Sequence, residues 1–589
     1  MSKERLKNVL SIICAIAASV AFVTDFDNLP GQFNVVSALL IPVLVVFFMK
    51  VQNKYSDSIP VLVCAAVTSF FILIGRSYST ANSSEIVFGS GRRILFFVIS
   101  MVGFTGVFYY LYLISLKGIN KLKEKDDKHF FGEKIIFGKL GTFKTAAIIL
   151  VMWLPVIVLC YPGAICNDSA YQIYQTLGRY PYDTIHPLIH TVTVGGFLRI
   201  GALLGSYNRG LYLSVLFQSV VMALVMGYSV TRLYKRGVKR AYVLIVLALF
   251  CFTPLYSNFA TMTIKDSLFN TWILLFFTYM TEFIFEDTNK LSVLRAIQLV
   301  GSGLLVMLFR NNGPIVFACM AAGFFLSLLL NRRINVKTKI LQTLIICILP
   351  LVLYTVVNGL LIKGLNAKTI NGKEVLSLPF QQTGRYIRDY ETDVTVDEWQ
   401  AIGKVLNLEI NIGEEYDPNI SDPLKTAFIN EATASDIAGY LVVWFKMFFK
   451  HPGVYFEAFF NQIYGWFDLS VRNSVRYNGH MDIFYPPRWG DNTNLVNKWF
   501  EFLAANPVTG ILESIALYVW WMALLIISLI KNRKRTGLVV FMFPLFTSLL
   551  VCVASPCCLL HPRYAFPIVF TIPYLTGYLM TCDNSDSTK

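Results

Sequence analysis

Charge is what this chain has least of. Only 15% of its 589 residues are Asp, Glu, Lys or Arg, where ordinary soluble domains carry about a quarter. Set against 55% hydrophobic residues, that scarcity excludes a water-soluble globular protein. Nucleotide and metal signatures are missing as well. No GxxxxGK, GxGxxG or HExxH occurs, and no DxD lies where it would act. This argues against an ATP-driven machine or a cytoplasmic nucleotide-sugar enzyme. The eleven cysteines form no CxxC pair or zinc spacing. Most lie in apolar runs (Cys14, Cys64, Cys251, Cys319, Cys347) and act there as small apolar residues. A disulfide between Cys166 and the Cys557–Cys558 pair is conceivable but not expected. The stretch 362–509 has no cysteine, so it is not a disulfide scaffold.

What fills the sequence instead is apolar length. Runs of roughly 17–24 residues recur, each long enough to cross about 30 Å of hydrocarbon. The expected fold class is an all-α polytopic membrane protein. About fourteen transmembrane helices are expected, near 8–24, 34–50, 59–75, 94–116, 145–161, 210–233, 241–257, 267–285, 293–309, 314–330, 340–361, 511–530, 537–553 and 564–580. The start MSKERLK, then an apolar run, reads as a first membrane helix and not a cleaved signal.

The net charge of +15 sits in short loops between these runs. That is the positive-inside pattern, with basic loops against anionic headgroups, and no nucleic-acid partner is implied. The loop 117–144 holds eight lysines, and Lys235–Arg240, Arg332–Lys339 and Lys531–Arg535 hold four basic residues each. All face the cytoplasm if both termini do. The alternate loops 25–33, 258–266 and 554–563 are poor in such residues, and 76–93 is a mild exception. The same parity divides the chain into a four-helix module (1–116), a cytoplasmic basic loop (117–144), a membrane core (145–361) with an outer loop (162–209), a smaller extracytoplasmic α-rich domain (362–509) and a three-helix C-terminal segment (510–589). It also decides the apolar run 187–205. If that run crossed, every later basic loop would face outward, so it is expected to lie along the outer surface.

Polar chemistry concentrates in that outer loop. Asp168, Gln172, Gln175 and Arg179 fall at i, i+4, i+7 and i+11, one face of a helix expected from about Asp168 to Leu177. A carboxylate there suits a general base toward a sugar hydroxyl, or a ligand for a divalent cation. The glutamines suit sugar hydroxyls; an ordinary solvated helix start is the bland alternative. Asp183 is a second acid in this loop. His186-Pro187 starts a second helix, and His190 is four residues from His186. That spacing is metal-capable but lacks a third ligand, so hydrogen bonding to substrate or to the fold is preferred. Lys265-Asp266 lies at the outer end of the next loop, where Lys265 suits a phosphate and Asp266 a metal or its own lysine neighbour. Arg310-Asn311-Asn312-Gly313 and His561-Pro562-Arg563-Tyr564 each put a guanidinium at the same surface, the group suited to holding phosphate bidentately. The candidate catalytic acids are Asp168 and Asp266, which are also the candidate ligands for Mg2+ or Mn2+. The candidate substrate-binding residues are Gln172, Gln175, His186, His190, Lys265, Arg310, Asn311 and Arg563.

In the outer domain, Thr395-Val-Asp-Glu398 matches a helix capping box. The stretch 437–467 is aromatic and amphipathic. Lys446, Lys450, Pro452, Glu457 and Gln462 argue against a span, and it is expected to lie in the interface with its aromatic face in lipid.

The order of parts resembles the GT-C superfamily of polyprenyl-phosphate-sugar-dependent membrane glycosyltransferases, which includes protein mannosyltransferases, aminoarabinose transferases and oligosaccharyltransferases. The stretch 145–161, Asp168, the helices to Gly205, the spans 210–233 and 241–257, and Asp266 follow the superfamily's order of span, acid-bearing outer loop, two spans and second acid. Pro162-Gly163, Asp168, Gln172 and His186-Pro187 are similar to a pattern in a Gram-positive bacterial branch. Two features depart from the superfamily: Asn167 precedes Asp168 where an acidic pair is usual, and four spans precede the core. The resemblance implies an inverting glycosyltransferase in the bacterial plasma membrane. Its donor would be a polyprenyl-phosphate-linked sugar and its acceptor a cell-envelope glycan, lipid or protein. Two other readings stand beside it. A lipid-linked oligosaccharide polymerase or ligase would use Arg385, Arg388, Arg472, Arg476 and His480 in 362–509. A flippase or transporter of lipid-linked glycans would line its midplane with charge, and these spans carry very few ionisable residues.

Overall fold

Apolar helices make up nearly all of the architecture. The computed structural model describes residues 3–23, 35–52, 58–124, 132–285, 291–332, 334–369, 376–473, 481, 484, 493–554, 559 and 561–582. The N-terminal helices are α1 (Lys3–Val23), α2 (Val35–Gln52), α3 (Ile59–Ala81) and α4 (Gly91–Lys121). α5 (Gly141–Leu159) leads into strand β1 (Ala164–Ile165), then α6 (Asn167–Thr176) and α7 (Leu188–Leu203). α8 (Tyr207–Arg236), α9 (Arg240–Phe252) and α10 (Pro254–Thr261) precede strand β2 (Met262–Thr263). α11 (Lys265–Phe285), α12 (Val293–Leu308), α13 (Gly313–Leu330) and α14 (Val336–Gly364) follow. α15 (Ser377–Tyr390), α16 (Val396–Gly403), α17 (Ala434–Lys450) and α18 (Pro452–Ile463) form a separate helical unit. α19 (Thr493–Ala505), α20 (Ile515–Lys531), α21 (Arg535–Ala554) and α22 (Phe566–Thr581) complete the chain.

A helix covers each of the fourteen apolar stretches. Among the described residues, eight helices are long and apolar enough to cross a membrane, or up to ten if each of two bent pairs is one span. The bends are 45° between α9 and α10 and 75° between Pro507–Glu513 and α20. α1, α2, α12 and α22 offer shorter apolar stretches. So does α7, at 16 residues, below the ~20 needed to cross. It turns back onto α8, where Gly201 and Gly210 let the backbones touch: a Cβ on Gly201 would stand 2.3 Å from Gly210 N. α8 also packs on α5 and α11, and Trp153 of α5 donates its Nε1–H to Phe250 O at 3.0 Å.

The molecule has two polar ends. At one, Lys239 pairs with Glu124 at 3.1 Å and Arg240 with Glu133 at 3.2 Å. Asn532 Nδ2 donates to Asn120 Oδ1 at 2.8 Å. The basic loops 117–144, 235–240 and 531–535 therefore meet. Nearby, buried Glu282 near the end of α11 holds Arg232 at 2.6 Å and Arg295 at 2.5 Å. The other end of α11, about 30 Å away along the helix, carries Lys265 and Asp266.

The unit α15–α18 joins that second end and keeps its own core of Phe380, Tyr386, Ile402, Leu406, Tyr440 and Met447. The Thr395 box forms as expected: Thr395 Oγ1 accepts from Glu398 N, and Glu398 Oε2 accepts from Thr395 N at 2.8 Å. The aromatic stretch is two helices, α17 and α18, broken at His451–Pro452. Arg385 Nη1 donates to Asn82 O at 3.0 Å, and Glu457 accepts from Ser84 N at 3.0 Å, tying the domain to the end of α3.

Candidate functional site

Two very short strands build the site. β1 and β2 pair in parallel, Ala164 with Met262 and Ile165 with Thr263. Each runs almost directly into a helix, β1 into α6 and β2 into α11. Residues 97 apart in sequence, Asp168 and Lys265, therefore land side by side in two adjacent first turns. Gln218 of α8 holds β2 in place, donating from Nε2 to Phe259 O at 2.9 Å and Met262 O at 2.8 Å. Arg310 arrives in the turn between α12 and α13. Arg563 arrives in the short helical turn Pro562–Ala565 before α22.

These groups form one alternating chain of charge. Lys265 Nζ lies 2.6 Å from Asp168 Oδ2, and Arg563 Nη2 lies 3.2 Å from the same oxygen. Arg563 Nε reaches Asp266 Oδ2 at 3.5 Å, and Arg310 Nη1 reaches Asp266 Oδ1 at 2.7 Å. The contacts of Asp266 are ion pairs without hydrogen-bond alignment. The Tyr564 ring lies under both guanidiniums, 4.3 Å from Arg310 and 5.9 Å from Arg563, a favourable cation–π arrangement. Exposure separates the two acids: the side chain of Asp168 is 25% exposed, that of Asp266 0%. Asp266 is thus a buried anchor for the arginines, and Asp168 is the acid open in part to the surface. Sequence adjacency suggested a Lys265–Asp266 pair. Lys265 instead pairs with Asp168, because Asp266 points into the arginines.

Burial alone would raise the Asp168 pKa, but Lys265 and then Arg563 outweigh it and hold the carboxyl well below the usual range. Lys265 Nζ also lies 3.0 Å from His186 Nδ1. An ammonium only donates, so Nδ1 is the acceptor and Nε2 carries the proton. Burial, then Lys265, push the His186 pKa down to about 3, leaving a neutral imidazole with a free N–H. His561 is pushed down to about 4 by burial and Arg563. Three cations against two carboxylates leave the site positive; Lys265 and Arg563 lie against the partly exposed Asp168, and Arg310 lies against the buried Asp266.

Other expected ligands serve the fold. Gln172, 1% exposed, accepts from His190 Nδ1 at 2.9 Å and donates to Thr191 Oγ1 at 2.8 Å. Gln175, also 1% exposed, donates to Pro181 O at 3.1 Å. Gln172 staples α6 to the first turn of α7, and Gln175 staples α6 to the segment before it. His190 is therefore buried apart from His186, and Pro187 caps α7 instead of lying in its first turn. Arg179 lies beyond the end of α6, over the Tyr174 ring. Asp183 accepts from Tyr171 Oη at 2.5 Å. Asn311 donates to Thr184 O at 2.9 Å and Ile185 O at 2.8 Å, bracing the backbone just before His186. Sequence reasoning missed Tyr564, although it directly follows Arg563.

The two acids do not fit a divalent cation. Arg563 stands between them in ion contact with both, where a metal would have to sit. Among the described residues no group of three or more His, Cys, Asp or Glu could hold a metal ion. Cys166 is buried and free, while Cys557 and Cys558 lie outside the described residues. So do Arg476 and His480. Arg385 pairs with Glu457, Arg388 pairs with Asp389, and Arg472 donates to Leu469 O at 2.6 Å.

A family model described as a family of unknown function, DUF6020, matches residues 182–589. The match begins after Asp168 and takes in His186, Lys265, Asp266, Arg310 and Arg563. No curated protein and no solved structure matches the chain.

Proposed function

The chain belongs to DUF6020, a family of unknown function, and we propose that it is a membrane glycosyltransferase of GT-C type. It transfers a sugar from a polyprenyl-phosphate donor to an acceptor outside the cytoplasm, in the cell envelope. In this reading all fourteen apolar stretches cross the bacterial plasma membrane, both termini are cytoplasmic, and the site faces outward. The observation that carries the proposal is the partly exposed Asp168 held against Lys265 and Arg563, with Arg310 linked to Arg563 through Asp266.

An acceptor hydroxyl gives its proton to Asp168 as its oxygen attacks the anomeric carbon from the face opposite the phosphate. The bond from that carbon to the phosphate oxygen breaks, and polyprenyl phosphate leaves with the electron pair. Lys265, Arg563 and Arg310 stabilise the leaving charge, an electrostatic task for preorganised cations. His186 Nε2–H donates to a sugar or phosphate oxygen. No step uses Mg2+ or Mn2+, because Arg563 fills the space between the acids. A donor phosphate competes with Asp168 for Lys265 and Arg563. As it takes them over, the forces depressing the Asp168 pKa weaken, and the carboxylate becomes a stronger base.

Asp168→Asn in the full-length protein tests this directly. Transfer from a synthetic polyprenyl-phosphate sugar falls by about 10²–10⁴-fold, the scale of general-base catalysis. Unchanged transfer sinks the assignment. Loss of activity on replacing Arg385 or Arg388, with Asp168→Asn still active, points to a polymerase or ligase. Glycan flipping by Asp168→Ala without transferase activity points to a transporter.

A further inference from the structure

The contacts around Asp168 do not end at His186. Asp168, Tyr171 and Tyr174 follow one another along α6 at spacings of three, neighbours on the helix surface. The Tyr171 ring meets the His186 ring edge-on at 5.6 Å. Tyr180 lies 5.2 Å from Tyr171 and 5.3 Å from Tyr174. Arg179 closes the row, 5.2 Å over the Tyr174 ring. The chain of charge thus passes through Lys265 and His186 into a shelf of tyrosines. Arg310 and Arg563 stand toward one end of this succession of contacts, and the tyrosines stand at the other.

The shelf is held rigidly. Arg179 N and Tyr180 N both donate to Tyr174 O, at 2.9 and 3.3 Å, after a turn at Gly178 with φ +73°. Buried Asp183 accepts from Tyr171 Oη at 2.5 Å and from Ile185 N at 3.0 Å. Lys368 pairs with the same turn: its N donates to Tyr182 O at 2.9 Å, and its O accepts from Thr184 N at 3.0 Å. The Tyr171 hydroxyl is therefore spent inside the fold, while Tyr180 stays 44% exposed. The exposed sequence neighbours of Tyr180 are Gly178, Arg179 and Pro181, none of them a long apolar side chain. Such a rim suits a polar ligand better than hydrocarbon. A sugar ring has the matching surface: a face of C–H bonds that covers an aromatic ring, and a rim of hydroxyls that reaches nearby charge. A tyrosine already fixed in place offers that contact at low entropic cost.

We propose that Tyr180, backed by Tyr171 and Tyr174, stacks against a sugar unit of the acceptor, and that the acceptor is a glycan. This rests on the glycosyl-transfer reading and adds the acceptor's chemical class to it. The arginines that take the phosphate and the tyrosines that take the acceptor lie at opposite ends of the row, as an in-line displacement needs. A hydroxyl of the stacked glycan gives its proton to Asp168, and its oxygen bonds to the anomeric carbon. The bond from that carbon to polyprenyl phosphate breaks, and the electron pair leaves on the phosphate.

Binding and transfer are read separately, on the full-length protein in nanodiscs. The binding probe is the neutral oligosaccharide fraction released by mild acid from the envelopes of the cells that make the protein. Saturation-transfer NMR on Asp168→Asn reads its binding without turnover. Sugar C–H protons are expected to be saturated, and adding Tyr180→Ala weakens binding about tenfold, the scale of one lost ring contact. Tyr180→Phe, which keeps the ring, retains the affinity. Should Tyr180→Ala melt early, Tyr180→Leu takes its place. The transfer probe is a radiolabelled synthetic polyprenyl-phosphate sugar offered to whole envelopes. Label is expected in the glycan fraction, and Tyr180→Ala raises the KM for that fraction about tenfold. No sugar binding, binding indifferent to Tyr180→Ala, or label in a lipid or protein free of glycan overturns the proposal. Where transfer persists in those cases, the glycosyl-transfer reading survives. Tyr180-dependent sugar binding with no transfer by the unsubstituted protein sinks that reading instead and leaves the shelf as a glycan site.

Discussion

At the scale of single residues, Asp168 has two tasks that oppose each other. It neutralises Lys265 and Arg563, and under the proposed glycosyl transfer those same cations would have to hold the donor phosphate. Removing its charge should therefore separate binding from chemistry. Asp168→Asn is expected to bind inorganic phosphate more tightly, by roughly tenfold for about 1.4 kcal/mol of relieved competition, while transfer is lost. Equal or weaker phosphate binding, by calorimetry on the solubilised protein, would show that the acid does not occupy the anion's place. The histidines supply a separate signature in acid. His186 and His561 titrate near 3 and 4 in the fold, against about 6.5 in an unfolded chain. Between pH 6.5 and 4 the unfolded chain binds protons that the fold refuses. Stability thus falls with pH there, by up to about 1.4 kcal/mol per pH unit for each histidine. His186→Gln should flatten the fall in melting temperature between pH 7 and 4.5, and an unchanged slope would refute the assignment. The charged members of the cluster were legible in sequence because a charge beside hydrocarbon is costly and needs a reason. The glutamines were misread because an amide near an acid looks the same whether it faces a substrate or a backbone carbonyl.

At the scale of elements, the pairing of β1 with β2 sets the distance between Asp168 and Lys265. Gly163 makes that pairing fit. Its φ is +127°, and a Cβ there would stand 2.6 Å from Val215 Cγ2 and 3.3 Å from Thr261 O. Both the backbone and the space require glycine. Gly163→Ala is expected to cost about 1–3 kcal/mol of stability, read as a lower melting temperature. It should also reduce transfer at temperatures where the protein is still folded, because Asp168 moves off Lys265. Adding Val215→Ala recovers the steric part alone. Full activity and an unshifted melt for Gly163→Ala would mean that the strands do not position the acid. Helix positions were readable from apolar length and capping chemistry, as the Thr395 box shows. The strands were not, since two residues carry no alternation to detect. The break at His451–Pro452 was visible as a proline after Lys450, but the packing of α18 on α3 is a contact between distant segments that no local pattern encodes.

At the scale of the whole molecule, the basic loops gather at one end and the charged cluster at the other, with α11, about 30 Å long, running between them. Loop charge in the sequence anticipated this separation, because lysine and arginine are retained on the cytoplasmic side during insertion. The number of crossings was less accessible. α1, α2, α12 and α22 carry apolar stretches shorter than the bilayer's ~20-residue requirement, so their crossing depends on local thinning of the bilayer and on neighbours that sequence does not specify. Orientation is open to direct measurement. Asp397, exposed at the start of α16, and Lys337, exposed at the start of α14, lie away from the site, so cysteine at either place should leave the fold intact. In intact cells a membrane-impermeant maleimide should label Asp397→Cys above the background of the native cysteines. Lys337→Cys should react only after the membrane is permeabilised. The reverse pattern would put the Asp168 cluster in the cytoplasm and remove the extracytoplasmic acceptor from the reaction. Labelling of both in intact cells would contradict a membrane lying between the two ends.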